Sequence, residues 1–158
     1  MKNIEEKTYV IRKADKEDSR RIWEIRNHPI VRKYSGNPEE IPFEKHVPWF
    51  IKKYFSREDN RCFVLESRNE NSLAIGYCRL DFNKELNGYV ISVALDVNFH
   101  GRGLGHYFLN KILRQFGDEK NIFAEIKKGN ISSIKLFQKN NFKIYKEDEE
   151  NCYLEYKT

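Results

Sequence analysis

Gly101, Gly103 and Gly105 stand at alternate positions just after the strand-like run Val93-Ala94-Leu95-Asp96-Val97, and Arg102 lies among them. Helical patterning starts at once after Gly105. Such an arrangement suits a phosphate: glycines let the backbone approach an anion, and the free N–H groups at a helix start point at it. Arg102 adds a cation beside that position. A ligand-free tight connection would use the same glycines, and Gly-x-Gly-x-Gly alone does not separate the two readings. A P-loop is excluded, because His106 and Tyr107 stand where Lys and Ser/Thr would be required. A dinucleotide-binding turn would follow the first strand of a parallel sheet. This one follows the last of three strands joined by hairpin turns.

The elements that must position this loop are legible from periodicity. Residues 8–13 read as a strand, and the Asp15/Asp18 spacing predicts a capped helix through about Asn27. Pro29, Gly36, Pro38 and Pro42 mark 28–42 as a loop with room for one helical turn. Phe43, Val47, Phe50, Ile51 and Tyr54 share one face of a helix over 43–55, in which Pro48 is tolerable only near the first turn. Strands follow at 61–67, 73–82 and 88–97, with turn chemistry at Asn69-Glu70-Asn71-Ser72 and from Asn83 to Gly88. Tyr107, Phe108, Ile112, Leu113 and Phe116 mark a helix that Gly117 stops. A strand at 122–126, a helix capped by Asn130 and running to about Lys139, and strands at 142–146 and 152–156 complete the chain. The expected fold class is α/β: a mixed, mostly antiparallel sheet of about seven strands flanked by about four helices. Residues 1–158 read as one domain.

Composition narrows the function classes. The 158 residues are 39% hydrophobic and carry a formal charge of +5, with basic and acidic residues interleaved. No single basic face emerges, which argues against nucleic acid and leaves a small polyanion as the partner of that charge. No apolar run approaches the roughly 18 residues of a membrane span, so a cytoplasmic protein without membrane attachment, monomer or homodimer, is expected. Cys62, Cys78 and Cys152 are isolated, in no metal-binding spacing, and read as packing residues. No metal is expected.

The run His100-Gly101-Arg102-Gly103-Leu104-Gly105 resembles the Gln/Arg-x-x-Gly-x-Gly/Ala signature of the GNAT superfamily of N-acetyltransferases. A second signature of that family, an Asn, a small residue three later and an aromatic four after that, is matched by Asn130, Ser133 and Phe137, with Phe142 at its end. The resemblance extends over nearly the whole chain in element order. It implies acetyl-CoA as co-substrate. Its pantetheine arm would pair with the backbone of Val93, Leu95 and Val97. The amides from Gly101 through Arg102, Gly103, Leu104 and Gly105 would hold the pyrophosphate, and Asn130, Ser133 and Phe137 would line the far wall. Two positions depart from the family: His100 replaces Gln or Arg, and Phe137 replaces a Tyr that protonates the leaving thiolate. Phe137 has no proton to donate, so the general acid is left unassigned.

The implied reaction is attack of a neutral amine on the thioester, with an amide near Leu95 stabilising the oxyanion. Asp81, Glu125 and His46 are candidate bases; solvated surface charge is the plainer reading of either carboxylate, and a surface cap is the alternative for His46. The stretch Trp23-Glu24-Ile25-Arg26-Asn27-His28-Pro29-Ile30-Val31-Arg32, with the later Phe43-Glu44-Lys45-His46-Val47-Pro48-Trp49-Phe50, resembles the amino-sugar branch of the family. That branch includes the N-acetyltransferases of pseudaminic-acid synthesis, which act on a UDP-linked amino sugar. The resemblance makes Arg26, Asn27, Arg32, His46 and Trp49 acceptor-binding candidates, while an aromatic stripe at helical spacing also serves a core. A ribosomal-protein-type N-terminal acetyltransferase and a catalytically silent acetyl-CoA-binding module are the alternatives.

Overall fold

The computed structural model describes residues 4–118 and 121–157. Strand β1 (Tyr9–Lys13) leads through a 3₁₀ turn into helix α1 (Ser19–Asn27). The Asp15/Asp18 capping box forms at that 3₁₀ turn rather than on α1 itself. Arg12 anchors the junction, donating to both Asp18 oxygens at 2.8 Å and to Glu66 at 2.6 Å. The loop that follows contains a short fifth helix, α2 (Pro29–Lys33), which His28 caps through its ring nitrogen. Helix α3 spans Phe43–Phe55. Pro48 falls in its second turn, further in than the first-turn position the sequence reading allows. It removes a bond to the Glu44 carbonyl, and both residues are exposed, so water can satisfy that group.

Strands β2 (Arg61–Ser67), β3 (Leu73–Asn83) and β4 (Gly88–Leu95) form an antiparallel meander. Asn71 and Ser72 both take positive φ between β2 and β3, the twist-matched hairpin geometry. Helix α4 (Leu104–Phe116), β5 (Ile122–Lys127), α5 (Ile131–Lys139), β6 (Phe142–Glu147) and β7 (Asn151–Tyr156) follow. The strands build one seven-stranded sheet in the order β1-β2-β3-β4-β5-β7-β6, and only β4 and β5 run parallel.

Each face of the sheet has its own core. Phe63, Leu65, Ile75, Cys78 and Ile91 pack with α4 residues Phe108, Leu109 and Ile112 and with Phe137 of α5. On the other face Cys62, Val64, Ala74 and Tyr77 pack against Ile22 and Ile25 of α1 and Phe50 and Tyr54 of α3. One face therefore carries the Gly-rich loop and the other carries α1 and α3. Between them lies the feature that matters: β4 and β5 pair at Tyr89–Ile122 and Val90–Phe123 and then separate.

Candidate active site

The parting of β4 and β5 leaves half of β4 with a free edge. Tyr89 N–H donates to Asn121 O on the β5 side, whereas Asp96 N–H donates to Ile75 O on the β3 side, both at 2.8 Å. Backbone alternation then turns the N–H and C=O of Val93 and Leu95, and the C=O of Ile91, toward the gap, the Ile91 N–H still serving the Val90–Phe123 pair. This is an edge to which an extended amide-bearing chain can add as a strand. The sequence reading placed Val97 on this edge, whereas the strand ends before it, and it did not include Ile91, whose carbonyl also faces the gap. β4 ends at Leu95, Asp96 accepts from Asn98 N–H at 2.9 Å, and Val97 enters a 3₁₀ turn. The Val97 carbonyl is taken by His100 N–H at 3.2 Å.

At the end of that edge lies the Gly-rich loop. Gly101 and Gly103 have φ of 76° and 78°, the left-handed region that side chains resist. Gly103 caps α4 without a side-chain bond, and among the described residues nothing accepts from the amides of Arg102, Gly103, Leu104 or Gly105. These orphan donors, added to the helix dipole, make a cradle for an anion. The Arg102 side chain folds back, donating to Asn98 O at 3.1 Å and lying 4.9 Å over the Phe99 ring. Asn130 caps α5 by accepting from Ser133 N–H at 3.3 Å. Phe137 is 3% exposed and packs edge-on against Phe142 at 4.9 Å. It is a core residue here.

The opposite face of the same strands is polar and partly enclosed. Tyr77, Arg79 and Asp81 of β3 alternate onto it, opposite Ala94, Ser92 and Val90. Asp81 accepts from the Tyr54 hydroxyl at 2.6 Å and pairs with Lys53 at 3.1 Å. Arg79 stands 5.6 Å from the Trp49 ring, and Lys53 stands 5.3 Å from it. Arg26 of α1 is half-buried beside them. Burial, with the Arg79 and Arg32 charges adding to it, pulls its pKa below the ordinary value. Among the described residues Arg26 Nη1 and Arg79 Nε are enclosed without a hydrogen-bond partner, while the buried His46 ring lies against the Ser19 main chain. His46 is 1% exposed, stacked 5.7 Å from Phe50, and burial lowers its pKa to about 4.

Asn27 and Arg32 do other work. Asn27 bonds the Ile41 main chain at both of its amide atoms, and Arg32 Nε donates to Asn27 O at 2.9 Å. Glu125 is exposed on β5, on the face opposite buried Ile122, Ala124 and Ile126, just past the point where β4 and β5 part. Asp81 sits five registers from the Gly76–Leu95 pair, roughly 17 Å along the strand. Sequence reasoning missed Arg79, Tyr77 and Lys53. The strand of Tyr77 and Arg79 is buried on both faces from Ala74 to Cys78, so alternation gave no signal for them.

The sequence pattern of the acetyltransferase (GNAT) family matches residues 20–142. The chain belongs to this family. It is therefore an acyltransferase that uses acetyl-CoA, and the free β4 edge together with the orphan amides of the α4 loop fits an elongated donor ending in phosphates. Among curated proteins it resembles acetyltransferase PseH of Campylobacter jejuni subsp. jejuni serotype O:23/36 (strain 81-176). The two are 25% identical over 132 residues, 82% of this chain and 79% of that protein. The fold is shared with the N-acetyltransferase of Staphylococcus aureus Mu50 at a TM-score of 0.74 and 24% identity, covering 93% of this chain and 96% of that one. It is also shared with the Vibrio cholerae spermidine N-acetyltransferase, solved with CoA and spermine, at a TM-score of 0.76 and 16% identity, covering 94% of this chain and 96% of that one. Among the described residues no helix is long and apolar enough to cross a membrane, and no group of three or more His, Cys, Asp or Glu is placed to hold a metal ion.

Proposed function

We propose that the protein transfers acetyl from acetyl-CoA to the amino group of a nucleotide-linked amino sugar. One observation carries the acceptor assignment: among the described residues Arg26 Nη1 and Arg79 Nε are enclosed on the α1/α3 face of the sheet without a hydrogen-bond partner, and the His46 ring is buried near them. Buried donors left unpaired cost stability, so each calls for a partner such as a bound ligand or an ordered water. Two guanidiniums match phosphate oxygens, and Trp49 beside Arg79 offers a flat surface for a base or sugar. The 25% identity to a protein named acetyltransferase PseH points the same way.

Each side chain then has a role. The pyrophosphate of the donor rests on the amides from Arg102 to Gly105, and its extended arm pairs with Leu95, Val93 and Ile91. Asn130 and Ser133 border the arm on the α5 side. The neutral amine attacks the thioester carbon, and an N–H of the free β4 edge, at Leu95 or Val93, stabilises the oxyanion. Glu125 takes the amine's proton, directly or through one water, because it borders the gap and has no ion-pair partner among the described residues. Asp81 is committed to Tyr54 and Lys53 and shapes the acceptor pocket. His46, neutral above its lowered pKa of about 4, serves as a hydrogen-bonding group and not as the base. The C–N bond forms, the C–S bond breaks, and the thiolate takes its proton from solvent, since Phe137 has none to give.

The test is thiol release from acetyl-CoA against UDP- and dTDP-linked amino sugars, free amino sugars, polyamines and peptides with free N-termini. Turnover with a sugar nucleotide and not with the free sugar supports the reading. Turnover confined to peptides moves the assignment to a protein N-terminal acetyltransferase. Donor binding without turnover on any arm favours an amine outside the panel or a silent binding module.

A further inference from the structure

The free edge of β4 is not fully free. Leu95 is the first edge residue that a chain coming from the α4 loop must meet, since the strand ends there and the loop follows. Its carbonyl already has a partner: His100 Nε2 lies 3.0 Å from Leu95 O. A carbonyl oxygen only accepts, so Nε2 carries the proton and the imidazole is the donor. His100 is otherwise exposed. The ring is held over the mouth of the gap by this bond and by the turn in which His100 N–H donates to Val97 O.

We infer that His100 is a displaceable cap on the donor channel: its imidazole satisfies the Leu95 carbonyl in the free protein and gives that acceptor up to an amide N–H of the incoming pantetheine arm. The exchange is of one N–H···O bond for another, so the cap costs the complex little while closing an edge that would otherwise present an unpaired carbonyl. It acts on the rate at which the arm seats. It is a positioning device for the donor, and it holds whichever amine is acetylated.

The cap and a plain phosphate contact predict different results, because adenosine 3′,5′-bisphosphate carries phosphates but no arm. Stopped-flow binding of acetyl-CoA to His100→Ala is expected to show an association rate roughly 3- to 10-fold above wild type. The affinity of the variant for the bisphosphate is expected to equal wild type. His100→Gln, whose side-chain amide can also donate to Leu95 O, should restore the slower rate. In the wild-type protein, the imidazole Nε2–H resonance of His100 should shift to a solvent-exchanging position when acetyl-CoA binds and stay unchanged with the bisphosphate. Association unchanged or slowed in His100→Ala overturns the inference, as does an equal loss of affinity for both ligands. An imidazole resonance that acetyl-CoA leaves untouched overturns it without recourse to any variant.

Discussion

The side chain of Asn27 closes on the main chain of Ile41 from both sides: Nδ2 donates to Ile41 O at 2.7 Å, and Oδ1 accepts from Ile41 N–H at 3.0 Å. Trp23 Nε1 donates to the same carbonyl at 2.6 Å, so the end of α1 holds the far end of the loop just before α3 begins. This ring fixes where α3 starts, and α3 carries His46, Trp49 and Lys53 onto the face that holds Arg26 and Arg79. On the proposed acceptor reading, Asn27 shapes that face through the backbone.

Asn27→Ala should therefore raise the acceptor KM and leave acetyl-CoA affinity unchanged. Loss of two bonds at a part-buried site costs about 1–3 kcal/mol, which lowers Tm by several degrees for a domain of this size. Thermal unfolding and steady-state kinetics on the same preparation check both effects. A raised donor Kd with an unaltered acceptor KM would refute the linkage between this ring and the cleft.

The Gly-rich loop gives a sharper contrast. Gly103 has φ of 78°, and an added Cβ would meet nothing nearer than Ile4 Cδ1 at 3.8 Å. Gly103→Ala should thus lose only about 1–2 kcal/mol of stability to backbone strain. Gly103→Glu adds negative charge where orphan amides await an anion, and it should weaken acetyl-CoA binding by more than about 100-fold. Calorimetric titration of both variants separates strain from electrostatics. Equal affinity in the two would remove the loop from the donor site.

Much of this is open to reading from the chain alone. Helix 43–55 and strand 61–67 emerge with their bounds intact, because apolar periodicity and turn residues are local signals. The Gly-rich loop is legible for the same reason. What stays hidden depends on distance. Nothing local tells an Asn27 that bonds Ile41, fourteen positions on, from one that binds substrate. Arg79 sits in a strand that is apolar on both faces from Ala74 to Cys78, so its side of the sheet could not be assigned from alternation. The misplaced end of β4 has a local cause: Asp96 turns the chain by accepting from Asn98 N–H, and the pattern Asp96-Val97-Asn98 was available to show it.

Arg26 makes a prediction in which stability and function part company. Its Nη1 is enclosed with no partner, and Arg79 and Arg32 are like charges nearby. Removing it should relieve the fold, so Arg26→Ala is expected to keep or raise Tm. The same change should raise the acceptor KM about 10- to 100-fold and spare the donor. Kinetics with a sugar nucleotide, beside a melting curve, decide it. A fall in Tm with KM unaltered would make Arg26 a structural residue.

His46 should leave its mark on the acid limb of stability. Burial, opposed by a main-chain bond at Ser19 and aided by the Arg26 and Arg79 charges, lowers its folded pKa to about 4 from an ordinary value of 6.5. The unfolded chain therefore binds the extra proton first as pH falls below 6.5, and the native state loses stability from there down to about pH 4. The loss is at most about 3 kcal/mol, because each tenfold difference in proton affinity is worth about 1.4 kcal/mol. His46→Phe removes the titrating ring while keeping the aromatic stack on Phe50, so its stability should vary less with pH across that window. It should also be at least as stable as wild type at pH 5, and weaker for the acceptor at pH 7. Urea midpoints at pH 7, 5.5 and 4.5 for both proteins measure the difference directly, and His28, His100 and His106 cancel because both proteins carry them. Parallel curves would mean that the His46 ring titrates in the folded protein as it does in the unfolded chain, and the reading of it as a buried, neutral hydrogen-bonding group in this cleft would fail with it.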